Sequence, residues 1–178
     1  MSDLLVYGNL DKEAEKYLKT KNIFTEKFSL FSNFKYPDFE QTKKEIEQIL
    51  ITQHSNAFTL DAKERTEFMF DADEGLETIL TKQLPQINLT LSTIYSDNLF
   101  KISDELGALV MQLKNHYQRP RPYQVAWYTK QDLHPYETLT GNNPSFPSGH
   151  GCQAHFLTMI IAKHNPKFKL ALQNTADK

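Results

Sequence analysis

Cysteine is almost missing from this chain: Cys152 is the only one in 178 residues. No internal disulfide can form, and a reducing compartment is tolerated. Long apolar runs are missing too. The best, Phe156 to Ala162, spans seven residues and contains Thr158, whereas a membrane-crossing helix needs about 20. No membrane span is therefore expected. The N-terminus has no basic stretch and only a short apolar run, Leu4 to Tyr7, so it does not read as a secretory signal. These absences lead us to expect a soluble, cytoplasmic protein. Charge of one sign is also scarce. A net charge of −2 creates no field that draws the whole chain to nucleic acid, so any anion site must be a local positive pocket. Glycine numbers only six, and the long stretches without turn residues point to helices.

What is present suits a globular fold. The chain is 39% hydrophobic and 24% charged, with twelve Phe, eight Tyr and one Trp, enough to bury a core in one domain spanning 1–178. Residues 1–35 read as an N-terminal arm packed on a bundle, with short helical character from Asp11 to Lys19. Pro37 is expected to open a helix carrying Phe39, Ile46, Ile49 and Leu50. One or two helices are expected between Ala62 and Leu84, stopped by Pro85. Another is expected from about Ile87 to Phe100, and then a long one carrying Ile102, Leu106, Leu109, Val110 and Leu113. It should end near Gln118, because Pro120 disfavours helix at Arg119. Residues 119–146 contain four prolines, two asparagines and a glycine and read as a long loop. Ser148 starts a helix to about His164, and a last helix covers 167–176. The fold class is all-α, a helical bundle.

A site for a tetrahedral oxyanion needs fixed positive charge, inward-aimed backbone amides and a proton donor. All three occur around the long loop. Lys114 lies near the last turn of the long helix and Arg121 seven residues on, in an extended Arg-Pro-Arg-Pro segment. An Arg fork can bond two phosphoryl oxygens while Lys supplies a compact charge. Taken alone, the same residues also read as a basic helix C-terminus complementing the dipole. In Pro147-Ser148-Gly149-His150, Ser148 is a natural N-cap, Gly149 permits close backbone approach, and the free amides of a helix start favour an anion. His150, in the first turn and aimed into the pocket, suits a general acid. The plain alternative is a capped helix with an incidental histidine.

Several other features carry bland readings. Asp71 to Gly75 reads as a solvated acidic turn rather than a calcium loop, and Cys152 as a small core residue. His155 should face away from His150, since five residues is about 140° round a helix. His164 reads as a surface cation. Asp177 lies too near the end to form a His-Asp pair with anything downstream. Trp127, Tyr128 and Tyr136 suit either an apolar substrate group or anchorage of the loop.

Lys114, six residues, Arg121-Pro122, and then Pro147-Ser148-Gly149-His150 resemble the first two of three motifs of the type 2 phosphatidic acid phosphatase superfamily. That superfamily includes soluble acid phosphatases, membrane lipid phosphatases and vanadium haloperoxidases. The resemblance covers 114–178 at motif level and implies a helical bundle of that type. It also implies that Lys114, Arg121, Ser148 and Gly149 bind phosphate (or vanadate) and that His150 acts as the catalytic acid/base. The implied reaction is phosphomonoester hydrolysis through a phosphohistidine, without metal or organic cofactor. Vanadate is implied only for a haloperoxidase-like member. Implied partners are a phosphorylated small molecule or phosphate, and possible further copies of the chain in a homo-oligomer. The third motif, Ser-Arg, five residues, His, three residues, Asp, has no counterpart in 1–178, and no Arg follows Arg121. The chain therefore reads as C-terminally truncated. Binding or scaffolding without turnover stands as the alternative reading.

Overall fold

A 25-residue helix, Thr93–Tyr117, forms the spine onto which much of the chain packs. The computed structural model describes residues 6–8, 10, 12–54, 76–90, 93–135 and 141–177. Every regular element among these described residues is a helix or helical turn, so the fold is all-α. In chain order the helices are α1 (Lys12–Leu18), α2 (Phe28–Phe31), α3 (Phe39–His54), α4 (Leu76–Gln83), α5 (Thr93–Tyr117), α6 (Pro122–Tyr128), α7 (Gly149–His164) and α8 (Lys169–Ala176). Short 3₁₀ turns cover Thr25–Lys27, Leu84–Ile87 and Pro166–Phe168. No described helix is long and apolar enough to cross a membrane.

The elements differ from the sequence expectation in three places. One helix runs where two were expected around Phe100, because no proline interrupts 93–117 and Lys101 propagates a helix well. The break falls earlier, at Asn88, whose left-handed backbone (φ 57°) ends the preceding turn. Second, α3 starts at Phe39 rather than at Pro37. Asp38 acts there as the cap, its Oδ1 accepting from the Gln41 amide at 2.8 Å. Third, the presumed loop 119–146 contains α6. The residues Asp71–Gly75, most of the Ala62–Leu84 segment, and Tyr136 lie outside the described residues.

Two apolar clusters hold these helices. The larger joins Leu80, Leu84, Leu89, Leu99, Leu157, Ile161 and Leu172, drawn from α4 and its 3₁₀ extension, α5, α7 and α8. The smaller joins Ile46 of α3 to Val125 and Ala126 of α6. The N-terminal arm lies along its own α5. Asn22 donates to the Glu105 carbonyl at 2.8 Å, Gln112 donates to the carbonyls of Tyr17 (3.1 Å) and Thr20 (2.9 Å), and the Tyr117 hydroxyl donates to the Phe31 carbonyl. The C-terminal end of α5 and the N-terminal end of α7 come together beside the 119–121 segment, where the motif residues lie.

Candidate functional site

Helix α5 ends at Gln118, whose left-handed backbone (φ 50°) turns the chain. Pro120 and Pro122 then keep Arg119 and Arg121 extended, as Arg121 shows with φ −73° and ψ 153°. Pro122 occupies the first turn of α6, where its missing amide costs nothing. Gln124 Oε1 accepts the Arg121 amide at 2.8 Å and fixes the helix start. A second segment is stitched alongside. The Ser145 amide donates to the Arg119 carbonyl at 3.0 Å, and Ser145 Oγ donates to the Pro120 carbonyl at 2.8 Å.

Both motif cations reach this second segment. Lys114 Nζ donates to the Pro144 carbonyl at 2.6 Å. Arg121 Nε donates to the Asn143 carbonyl at 2.7 Å and its Nη2 to Asn143 Oδ1 at 3.1 Å. These bonds use one of the three Lys donors and two of the five Arg donors. Lys114 is only 5% exposed. Burial first, and the Arg121 charge second, lower its pKa to about 8, with Cys152 opposing. Burial also lowers the pKa of Arg121, against the influence of Tyr7 and Tyr123. Burial raises that of the half-buried Cys152, against the pull of Lys114. Lys114 thus lies within electrostatic reach of both Arg121 and the first turn of α7. Among the described residues no carboxylate pairs with Lys114 or Arg121.

Arg119, two residues from Arg121, has a different role. Its Nη2 donates to Glu45 Oε2 at 2.7 Å and to Thr42 Oγ1 at 3.4 Å, and its guanidinium lies over the Tyr36 ring. It ties α3 to the segment following α5.

At the start of α7, Ser148 is the N-cap, and its Oγ accepts from the Gly151 amide at 3.1 Å. The hydroxyl proton stays available for donation. The Gly149 amide has no hydrogen-bond partner among the described residues. A Cβ placed on Gly149 would meet nothing within 4 Å, so a side chain could be added there without a clash. His150 stands in the first turn and is exposed. The structure thus joins Lys114 and Arg121 through Asn143-Pro144. It sets Ser148 and Gly149 at the start of α7, with Ser148 and His150 exposed and Gly149 partly so.

The remaining histidines are placed as follows. His155 is half exposed, and its Nε2 lies 3.4 Å from Asp177 Oδ1. Asp177 therefore pairs with a histidine upstream of it, because α7 and α8 pack antiparallel and bring the two together. His164 lies edge-to-face on Tyr95. Asn143, Pro144 and Gln124 were not singled out from sequence. Gln124 was detectable, since a glutamine three residues after a cap and two after proline marks a helix start. The Gly141-Asn142-Asn143-Pro144 run signals only a turn and does not reveal which cations its carbonyls receive. Among the described residues no group of three His, Cys, Asp or Glu side chains is placed to hold a metal ion. No protein-family model matches the chain, and no curated protein or solved structure does either.

Proposed function

We propose that the chain binds a phosphoryl group in a site of the type 2 phosphatidic acid phosphatase kind, within a bundle of that type. The observation that carries this reading is the Lys114–Arg121 pair. Two cations sit side by side, largely out of water, with unused donors and no carboxylate among the described residues. Such an arrangement costs free energy unless an anion occupies it, and it is typical of binding sites. In the proposed site Lys114 and Arg121 hold phosphoryl oxygens, and the Gly149 amide and Ser148 hydroxyl bond another. His150 protonates the departing alkoxide of a phosphomonoester. The histidine that attacks phosphorus in that superfamily comes from the third motif. Hydrolysis by this chain therefore requires that group to be supplied from outside 1–178. A second reading, phosphate binding without turnover, is favoured by the absence of that motif from the sequence.

Thermal unfolding with and without inorganic phosphate tests the binding. Phosphate at 100 times its dissociation constant should stabilise the native state by about 2.7 kcal/mol, and Arg121→Ala should abolish the shift. Equal melting curves for wild type with and without millimolar phosphate would refute the site. Release of p-nitrophenol from p-nitrophenyl phosphate, lost in His150→Ala, would establish turnover. Equal background in both proteins would leave binding as the function.

A further inference from the structure

The N-terminal arm turns one side toward the bundle and the other to water. Phe24 packs edge-to-face on Phe156, with ring centroids 5.4 Å apart, and Phe28 does the same on His116 at 5.5 Å. Ile23, Lys27, Leu30 and Phe34 recur every three or four residues along these helical turns, the spacing that puts residues on one side, and all four are exposed. Ile23 is 65% exposed, Leu30 68% and Phe34 58%, and Phe31 and Tyr36 are exposed beside them. A single exposed leucine needs no explanation, but five large apolar side chains within residues 23–36 form a patch. The patch is held in place from behind. His116 Nε2 lies 2.9 Å from the Ser32 carbonyl oxygen, and the Phe34 amide donates to the Tyr117 hydroxyl at 2.9 Å. The charge around it is largely of one sign. Residues 19–36 carry four lysines and one glutamate, all exposed, in a chain whose net charge is −2.

We propose that this outer side of the arm docks on an anionic membrane surface. Ile23, Leu30 and Phe34 enter the boundary between headgroups and acyl chains, and the lysines meet the lipid charge. The arm lies along the surface without crossing it; no described helix is long and apolar enough to span. Charge and chemistry together select this occupant. Nucleic acid would engage the lysines and the rings, but Ile23 and Leu30 have no flat face to stack on a base. A second copy fits poorly, because a two-fold contact sets the same patch against itself and brings like charges together. A bilayer with anionic headgroups satisfies the apolar side chains and the lysines at once. It acts here as a surface and not as a substrate, and the docking does not depend on the phosphoryl site.

Co-sedimentation of the full chain with vesicles tests the docking. The vesicles are phosphatidylcholine alone and an equimolar mixture with phosphatidylglycerol. Wild type should bind the mixed vesicles at least about tenfold tighter than the neutral ones, and the binding should fall as salt rises from about 0.05 to 0.5 M. Leu30→Ser and Phe34→Ser should each weaken binding by about tenfold. Lys27→Gln with Lys35→Gln should weaken it by about 25-fold, roughly fivefold for each lysine. Circular dichroism checks that each variant is folded, and the wild-type comparison of vesicles and salt needs no variant at all. Failure of wild type to bind the mixed vesicles overturns the proposal, as does undiminished binding by both serine variants. Binding lost in Arg121→Ala but kept in Leu30→Ser also overturns it, by moving the headgroup contact to the cationic pair. Self-association without vesicles that Leu30→Ser abolishes would overturn it in favour of a second copy.

Discussion

Lys114 holds its amine where water barely reaches, against a single carbonyl and beside another cation. Below about pH 8 the amine is protonated in both the folded and the unfolded chain, and the cost of burying that charge is present in full. Between about 8 and 10.5 the folded chain gives up the proton first. The unfolded state then binds more protons, and stability rises with pH. The gain over that window is on the order of 3 kcal/mol. Urea unfolding at pH 7 and pH 10 should show this rise as a difference between wild type and Lys114→Met. The variant should be at least as stable at pH 7 and should lack the Lys114 share of the increase. Identical pH slopes for the two proteins would rule the buried charge out as its source. Bound phosphate favours the protonated amine, so protection by phosphate should weaken above about pH 8 in wild type. Gly149 separates structure from function in a different way. Its Cβ position is empty, so Gly149→Ala should leave stability unchanged or raise it by up to about 1 kcal/mol. If the Gly149 amide bonds phosphate, the added methyl beside it should shrink the melting shift with phosphate, and an unchanged shift would remove Gly149 from the site. In Gly151→Ala the new Cβ would lie 3.1 Å from Ser148 Oγ. That substitution should instead disturb the cap and cost about 1 kcal/mol.

Among the elements, α6 shows what local rules conceal. Four prolines in 119–146 point to a loop, yet one of them occupies the helical position that tolerates proline best. The burial of Val125 and Ala126 against α3 supplies the rest of its stability, since seven residues are too few for a helix to stand alone. The α5 spine shows the converse. Its apolar spacing was legible from Ile102 onward, but its true start was not, because continuity through Phe100 depends on the absence of a breaker rather than on a positive signal. Helix α7 was legible at both ends, since Ser148 caps one and Asn165-Pro166 closes the other. The joint between α3 and the site is also open to test. Glu45→Ala removes the carboxylate from Arg119, whose Nε already lacks a partner. The loss should be about 1–2 kcal/mol, given the partial exposure of the pair. Phosphate should still raise the melting temperature of the variant, because the Arg119 guanidinium is turned toward α3 and Tyr36 rather than toward the Lys114–Arg121 pair. Loss of the phosphate shift in Glu45→Ala would show that α3 holds Arg121 in place as well.

For the molecule as a whole, the division of α7 is the main feature. Its first turn borders the cationic pair, while Leu157 and Ile161, fully buried, knit α4, α5 and α8 together further along. Recognition and stability therefore share one helix but occupy different stretches of it. Leu157→Ala should cost about 3 kcal/mol in urea unfolding, from lost transfer energy and the cavity left behind. Phosphate affinity measured well below the melting temperature should stay within twofold of wild type. A large fall in affinity would mean that core packing sets the aim of the α7 start. The His155–Asp177 contact between α7 and α8 is exposed at both partners, and surface pairs of this kind contribute little.

The sequence by itself determined that the chain is helical, where α7 begins and ends, and which residue types an anion site would draw on. Periodicity, proline and caps act over one or two turns, so they are readable locally. The tertiary structure alone decided what each cation does. Arg119 and Arg121 both precede proline and look equivalent in the sequence. One is paired with Glu45, 74 residues upstream, and the other is turned toward Asn143 beside Lys114, with no carboxylate partner among the described residues. The partner of a charge is set by which distant segments pack together, and no spacing along the chain encodes that choice.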